Sequence, residues 1–432
     1  MTAPAAPTAT VPGPAGTAAS PRPSATVVER ATDRPGEPAA PAPSRTPRFL
    51  RRLQVLVALA AVLAGALATW VIVDLRADLA TSAQAARQYA TLGQVHHALN
   101  SAADHAARSV LADETAGGQR AKVAGEDLAA AAGLLVDAAR AHPEDAQALN
   151  AISQQVSRYA QALAPALGGP DHARALSQLA AADTQLDKAL EQIETMQAGL
   201  SDQAAARPLT QSWAIVVWPL VAGLAVVVWA SWALARLSHR VVNLGVAGTA
   251  LAIVLVATMA LGAQASAADA FRVSRTEQFA SVVNTAAAVD GLDRAQRVLT
   301  SAVLRQSWGS GPDGDYADAL AGARKAAAAE ALPSLSSYDA AKVALATQMT
   351  KRDWAGAAKS LNATSDTALD SLADEFRQAA GSRTSASLAE AEAAPRGAGN
   401  VMAAQLVFAI LFALAGAALG ALGIDRRLQE YR

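Results

Sequence analysis

The chain has 432 residues, a net charge of −1 and no cysteine, with 52% hydrophobic, 4% aromatic and 17% charged residues. A mean hydropathy of +0.19 is too high for a purely soluble protein and too low for a polytopic transporter, so membrane spans combined with sizeable polar domains fit. The balanced charge offers no field to attract nucleic acid, and the missing cysteines exclude disulfides, thiolate catalysis and Cys-ligated metal.

Residues 1–48 are Pro, Ala, Thr and Ser with a few charges, as in PGEPAAPAPSRTPR. Such a segment buries too little apolar surface to offset its ordering entropy, so a disordered cytoplasmic arm is predicted. Four apolar runs follow at Leu53–Asp74, Trp213–Leu234, Val241–Gly262 and Val401–Ile424. Each suffices to cross roughly 30 Å of hydrocarbon. The first carries the Arg51-Arg52 flank of a signal peptide, but its length and the long polar tail before it predict an uncleaved anchor.

Arg45, Arg48, Arg51 and Arg52 precede the first span. Arg236 and Arg240 lie in the 235–240 turn, and Arg426, Arg427 and Arg432 lie in the 425–432 tail. All three flanks fall on one side, which the positive-inside rule makes cytoplasmic. Both termini are then cytoplasmic in a multi-pass cell-membrane protein, and segments 75–212 and 263–400 are extracytoplasmic. Trp70 and Trp213 mark the outer interface, Trp229 and Trp232 the inner one.

Both outer segments have helical patterns. Breaks are expected near Gly117-Gly118, His142-Pro143 and Gly168-Gly169-Pro170 in the first. In the second they are expected near Gly309–Gly314, Leu332-Pro333 and Lys351–Asp353. Three breaks make four helices in each. The expected fold is an all-α membrane protein, four transmembrane helices carrying two duplicated extracytoplasmic antiparallel four-helix bundles.

Residue matches support the duplication. Asp104-His-Ala-Ala-Arg108 parallels Asp293-Arg-Ala-Gln-Arg297, Tyr159 parallels Tyr338, and DTQLD (183–187) parallels DTALD (366–370). At about 1.5 Å per residue, Asp104, Asp183 and Asp293 lie roughly 45 Å from the bilayer and Asp366 about 50 Å. The fourth helix carries the seam Leu176, Leu179, Asp183, Leu186, Leu190, Ile193, an aspartate among leucines. His105, beside the seam Leu92, Val95, Leu99, Ala102, Ala106, is its candidate partner. A solvated flaw and a register-setting contact are both open for Asp183, and Asp366 is its counterpart in a less regular seam. The acid-first pairs Asp104→Arg108 and Asp293→Arg297 are placed outward by the same pattern. They read as exposed pairs of little energetic weight or as a docking patch.

No P-loop, GxSxG, HExxH or paired-carboxylate cleft is present, so no enzyme and no cofactor are expected. His96, His97 and His105 form a local group without the further ligands a metal needs. Ionisable residues are missing from the span interiors, which disfavours a pump or coupled transporter. Gly416xxxGly420 is a helix-packing face, serving either intramolecular packing or a homodimer.

The abundant alanine, and arginine outnumbering lysine about five to one, resemble a GC-rich actinobacterial proteome. The architecture resembles the four-helix ligand-binding domains of chemoreceptors and sensor kinases, without their cytoplasmic output modules. In this it is similar to the GlnX-type actinobacterial membrane sensors. The resemblance implies a non-enzymatic adaptor that links an extracytoplasmic solute-binding lipoprotein to a cytoplasmic Ser/Thr protein kinase. It carries over no ligand residue. Two rivals remain: a scaffolding envelope protein, which predicts dry uninterrupted seams, and direct binding of a small ligand, which predicts a polar pocket between helices. The lipoprotein reading predicts ligand-free bundles with an exposed charged patch at Asp104/Arg108 and Asp293/Arg297.

Overall fold

The computed structural model describes residues 45–112, 114–167, 172–205, 213–238, 243–363 and 365–430. The expectations for residues 1–44, Gly168-Gly169-Pro170, Arg240 and Arg432 fall outside these. Every described element is helical, and four helices are long and apolar enough to cross a membrane.

The first half comprises α1 (Arg45–Leu111), α2 (Glu114–Ala141), α3 (Ala146–Leu167) and α4 (His172–Ala205). At 67 residues, α1 extends about 100 Å, passing from its apolar run into the helical domain without a break. Leu92, Val95 and Leu99 of α1 share one core with Leu135 of α2, Tyr159 of α3 and Leu186 of α4. The break between α1 and α2 precedes Gly117 and Gly118, which lie inside α2. A Cβ on Gly117 would stand 2.7 Å from the Ser109 carbonyl oxygen. That glycine permits a tight corner rather than ending a helix.

The second half begins with α5 (Trp213–Ser238) and α6 (Leu244–Phe271). A π-helical segment (Arg272–Phe279) then joins α6 to α7 (Ala280–Leu304). The remaining helices are α8 (Ser310–Ala329), α9 (Ser336–Thr350), α10 (Trp354–Leu361) and α11 (Leu369–Glu430). Among the described residues the second helical domain has five helices, a departure from the expected four-helix plan. Asp353 caps the extra one, its side chain accepting from Gly356 N at 2.9 Å. Its chain continues through a turn before α11 starts, so DTALD marks the start of a helix while DTQLD lies within one.

Where the apolar runs meet, glycines bring backbones together. A Cβ on Gly245 of α6 would lie 2.5 Å from both Gly423 Cα and Leu419 O of α11. Thr249 donates to the Gly416 carbonyl at 2.8 Å, and Gln54 of α1 donates to the Ala421 carbonyl at 3.2 Å. The Gly416xxxGly420 face is thus used within the chain, against Ala252 and Thr249 of α6. In hydrocarbon, close packing and such hydrogen bonds replace the hydrophobic drive as the source of cohesion. Val55, Leu59 and Leu63 of α1 and Leu411, Leu414 and Leu422 of α11 face outward, as lipid contact requires.

Replacing Gly245 by alanine is therefore expected to lower the thermal stability of the full chain in lipid nanodiscs, by the ~1–3 kcal/mol typical of overpacking. Gly118→Ala, where a Cβ meets nothing within 4 Å, should instead hold or raise stability. Equal melting of wild type and Gly245→Ala would contradict the close α6–α11 approach.

Candidate functional site

The long helices carry two stripes each. On α1, Leu92, Val95, Leu99 and Ala106 point into the first domain's core. A second stripe at the same 4-3-4 spacing, His97, Ser101, Asp104, Arg108, is polar. Asp293, Gln296 and Thr300 repeat it on α7, and Asp370, Asp374, Arg377 and Gly381 on α11. These three stripes converge where the two domains meet.

Arg108 is wholly buried. Its Nε lies 2.8 Å from an Asp104 carboxylate oxygen and its Nη1 donates to Asp370 at 2.5 Å. Nη1 also donates at 2.8 Å to the carbonyl of Leu361, the last residue of α10, whose oxygen has no partner within that helix. Thr300 donates to Asp104 at 2.5 Å, and Gln296 donates to Asp104 and Asp370 at 3.2 and 3.0 Å. Arg120 of α2 reaches Asp370 at 3.3 Å. Nearer the apolar runs on the same stripe, Arg377 donates to Asp293 at 2.8 and 3.1 Å and to Gln296 at 2.5 Å. His97 Nδ1 stands 2.7 Å from the other Asp293 oxygen. Buried charge is tolerated only when paired in this way. Asp104, Asp293 and Asp370 balance Arg108, Arg120 and Arg377.

Burial disfavours the charge on Asp293, but Arg377 and His97 outweigh it and hold the carboxyl at about 2. Burial likewise opposes the charge on Arg108, and Asp104 and Asp370 more than restore it. Burial lowers the pKa of His96 against the pull of Asp290, Asp293 and Glu194, and that of His105 against Asp104 and Asp127.

Beside the network lies a cavity of about 450 Å³ between α1, α4, α7 and α11. Tyr89, Gly93 and His96 line it from α1, Glu194 and Gln197 from α4, Thr285 and Asp290 from α7, and Thr384 and Leu388 from α11. A smaller space of about 90 Å³ is bounded by Asn100, Asp104, Gln296 and Asp370. His97, Asp293 and Arg377 line both. Within the larger cavity, the buried Thr285 hydroxyl and one Asp290 oxygen have no hydrogen-bond partner, though His96 Nδ1 stands 3.3 Å from that oxygen. A buried polar atom without a partner is a position where a ligand group gains a full hydrogen bond. Among the described residues no three His, Asp or Glu side chains are grouped to hold a metal ion. The arrangement suits binding of a polar organic solute, with carboxylates and imidazoles on one side and Tyr89, Ala286 and Leu388 as apolar wall.

The residues singled out from sequence fare unevenly. Asp104, Arg108 and Asp293 are buried between the domains, which corrects their outward placement and removes them as an exposed docking patch. Their helical pattern was sound, but the face opposite the first core is covered by the second domain. Arg297 is part-exposed and lies 3.8 Å from Asp187; Asp293 is taken by Arg377 and His97 instead. His105 faces Arg120 at 3.4 Å, so the contact with Asp183 is not made. Asp183 is half-buried, and burial raises its pKa against the fields of Arg297 and Arg305. Asp366 is exposed in the turn before α11, which corrects its seam placement; the inward aspartate of DTALD is Asp370. Asp370, Arg377, Gln296, Thr300 and Asp290 escaped sequence reading, although the polar 4-3-4 stripe was available as a signal.

The chain matches no family model, no curated protein and no solved structure.

Among the described residues, Arg108→Leu removes the only guanidinium at the buried Asp104 and one of two at Asp370. It should cost about 3–5 kcal/mol of stability, read by thermal or chemical unfolding of the full chain. Asp293 has its own pH signature. Its folded value of about 2 lies below the unfolded one near 3.9, so its contribution is complete above about pH 4 and fades as pH falls through 2. Unfolding measured from pH 5 to pH 2 should show this loss in wild type and a flatter profile in Asp293→Asn.

Proposed function

We propose that this chain is a non-enzymatic membrane sensor whose two helical domains bind a small polar solute directly between them. One observation carries the reading: the roughly 450 Å³ cavity lies among helices of which α1 and α11 continue unbroken into apolar runs, while α7 continues through a π segment into α6. The cavity also shares His97, Asp293 and Arg377 with the buried charge network. A solute bound there contacts both domains and the groups that hold them in register. It can shift an equilibrium between two arrangements only by its difference in affinity for them, typically 1–3 kcal/mol.

The rival readings are less well supported. A dry scaffold does not call for a polar cavity with unpartnered buried groups. A solute-binding lipoprotein docked on Asp104/Arg108 and Asp293/Arg297 would need an exposed patch, and three of these side chains are covered. Basic flanks support an extracytoplasmic position for the domains and cytoplasmic termini. The output would then pass to a separate cytoplasmic protein, for which the GlnX resemblance suggests a Ser/Thr kinase. Two related halves are supported by a reciprocal contact: Arg108 reaches Asp370 of DTALD, and Arg297 reaches Asp187 of DTQLD.

The test is a thermal-shift screen of the full chain in nanodiscs against small polar solutes, including amino acids, polyamines and betaines. At least one is expected to raise the melting temperature by several degrees. A Cβ on Gly93 makes only ordinary contacts, 3.7 Å to Ala286 and 3.8 Å to Gln197, so Gly93→Trp should fill the cavity and abolish that shift while the unliganded protein still folds. A screen in which no solute stabilises the wild type, or in which Gly93→Trp responds equally, would overturn the reading.

A further inference from the structure

A second cavity, of about 400 Å³, opens between α1 and α11 far below the first. It lies where both helices leave their apolar runs. Arg76 follows Asp74 by two residues and Arg396 precedes Val401 by five, placing their Cα atoms about 3 and 8 Å beyond the runs. The polar headgroup layer occupies roughly the first 5–7 Å beyond the hydrocarbon. Arg87 starts about 20 Å beyond the run and stays above this layer. The side chain of Arg76 leans toward the N-terminus of α1 and so toward the membrane, while Arg396 leans back toward Glu392.

The charge here is unbalanced. Arg87 and Arg396 both pair with Glu392, at 2.5 and 2.6 Å. Arg76 makes no ion pair among the described residues. Three guanidiniums thus face one carboxylate inside a single cavity, a local excess of two positive charges. Its remaining walls include Leu79, Ala83 and Pro395, which are apolar. A guanidinium presents paired N–H donors that match phosphate oxygens. The depth of Arg76, within the headgroup layer, suits the phosphate of a lipid better than a freely hydrated ion.

We infer that this cavity binds the phosphate of an anionic phospholipid, clamped by Arg76 and Arg396 across the seam between α1 and α11. Zwitterionic lipids carry the same phosphate, but their own cation neutralises it, so the excess charge selects lipids of net negative charge. The site stands apart from the solute cavity and does not depend on it. A bound lipid would tie the two longest helices together at the membrane surface, where the only other charged tie described is the bridge from Arg87 to Glu392.

The test uses native mass spectrometry of the full chain released from nanodiscs containing phosphatidylglycerol and phosphatidylcholine in equal amounts. The wild type is expected to retain phosphatidylglycerol about tenfold over phosphatidylcholine. Arg76→Gln, at an exposed position, should fold normally and reduce that preference several-fold; Arg76→Gln with Arg396→Gln should abolish it. Arg76→Lys should recover part of it. Equal retention of both lipids by the wild type, or an unchanged preference in the double variant, overturns the inference. Millimolar inorganic phosphate that binds with the same dependence on Arg76 and displaces all retained lipid would make free phosphate the occupant and overturn the lipid assignment.

Discussion

A guanidinium with no solvent contact sets the terms for the whole assembly. Arg108 is on α1, and its acceptors are on α1, α10 and α11. The first domain thus supplies the cation and one carboxylate, while the second supplies a carboxylate and a helix-end carbonyl. Sliding the packed domains out of register would leave this buried charge short of partners, at several kcal/mol. A well-packed apolar contact of the same volume would hold them at least as tightly, so binding strength alone does not account for the choice of ions. What ions add is position. An apolar stripe tolerates a slip of one turn, whereas Arg108, Gln296 and Arg377 each have partners at one register only. The walls of the solute cavity inherit that register, because His97, Asp293 and Arg377 belong to both.

The repeated DTxLD motif takes its meaning from the same constraint. In isolation each copy sets two aspartates four residues apart, mildly unfavourable in a helix. In the folded chain the second aspartate of each copy faces an arginine from the other half. Asp370 meets Arg108 in a buried setting, and Asp187 meets Arg297 near the surface at 3.8 Å. Arg108 and Arg297 close the two acid-first helical motifs. Asp366 stands in the turn outside α11, so Asp370 carries no helical i, i+4 repulsion, and its place is set by Arg108 across the domain junction.

How much of this was legible in the sequence depended on range. The spans were readable because hydropathy is local: the four apolar runs coincide with the four helices long enough to cross a membrane. The seam Leu92, Val95, Leu99, Ala102, Ala106 was readable for the same reason, and all five are buried. The second domain's extra helix was partly readable, since Asp353 and Gly356 form a start signal three residues apart. The site itself was not. An i, i+4 Asp–Arg pair looks the same on an exposed face and at a domain interface, and what decides is a partner 262 positions away. Exposure is a tertiary property, so Asp104 and Arg108 could be paired with each other from sequence but not placed. A polar stripe with heptad spacing opposite an apolar one was the one local hint that a second partner surface existed.

The packing also restricts how occupancy of the cavity could reach the membrane. Among the apolar runs, α6 and α11 are locked by backbone contacts at Gly245 and Gly423, and α1 joins them through Gly65 against Ala413 and through Gln54. Above, α7 and α11 are tied to α1 by the charge network. A rigid helix held at both ends transmits displacement only if something between the ends can yield. Between α6 and α7 that something is the π segment, where backbone hydrogen bonding is less regular than in an α-helix and a change of register is a local event. Its surroundings fit: Ser274 is buried with its hydroxyl unpartnered, and the amide oxygen of Gln278 is likewise unpartnered. Arg275 leans across to Ser82 of α1 at 3.3 Å, so a register change there is felt by the neighbouring helix. On the sensor reading, the domain junction fixes where the solute sits, the glycine contacts fix the helices below, and the π segment is the joint between them.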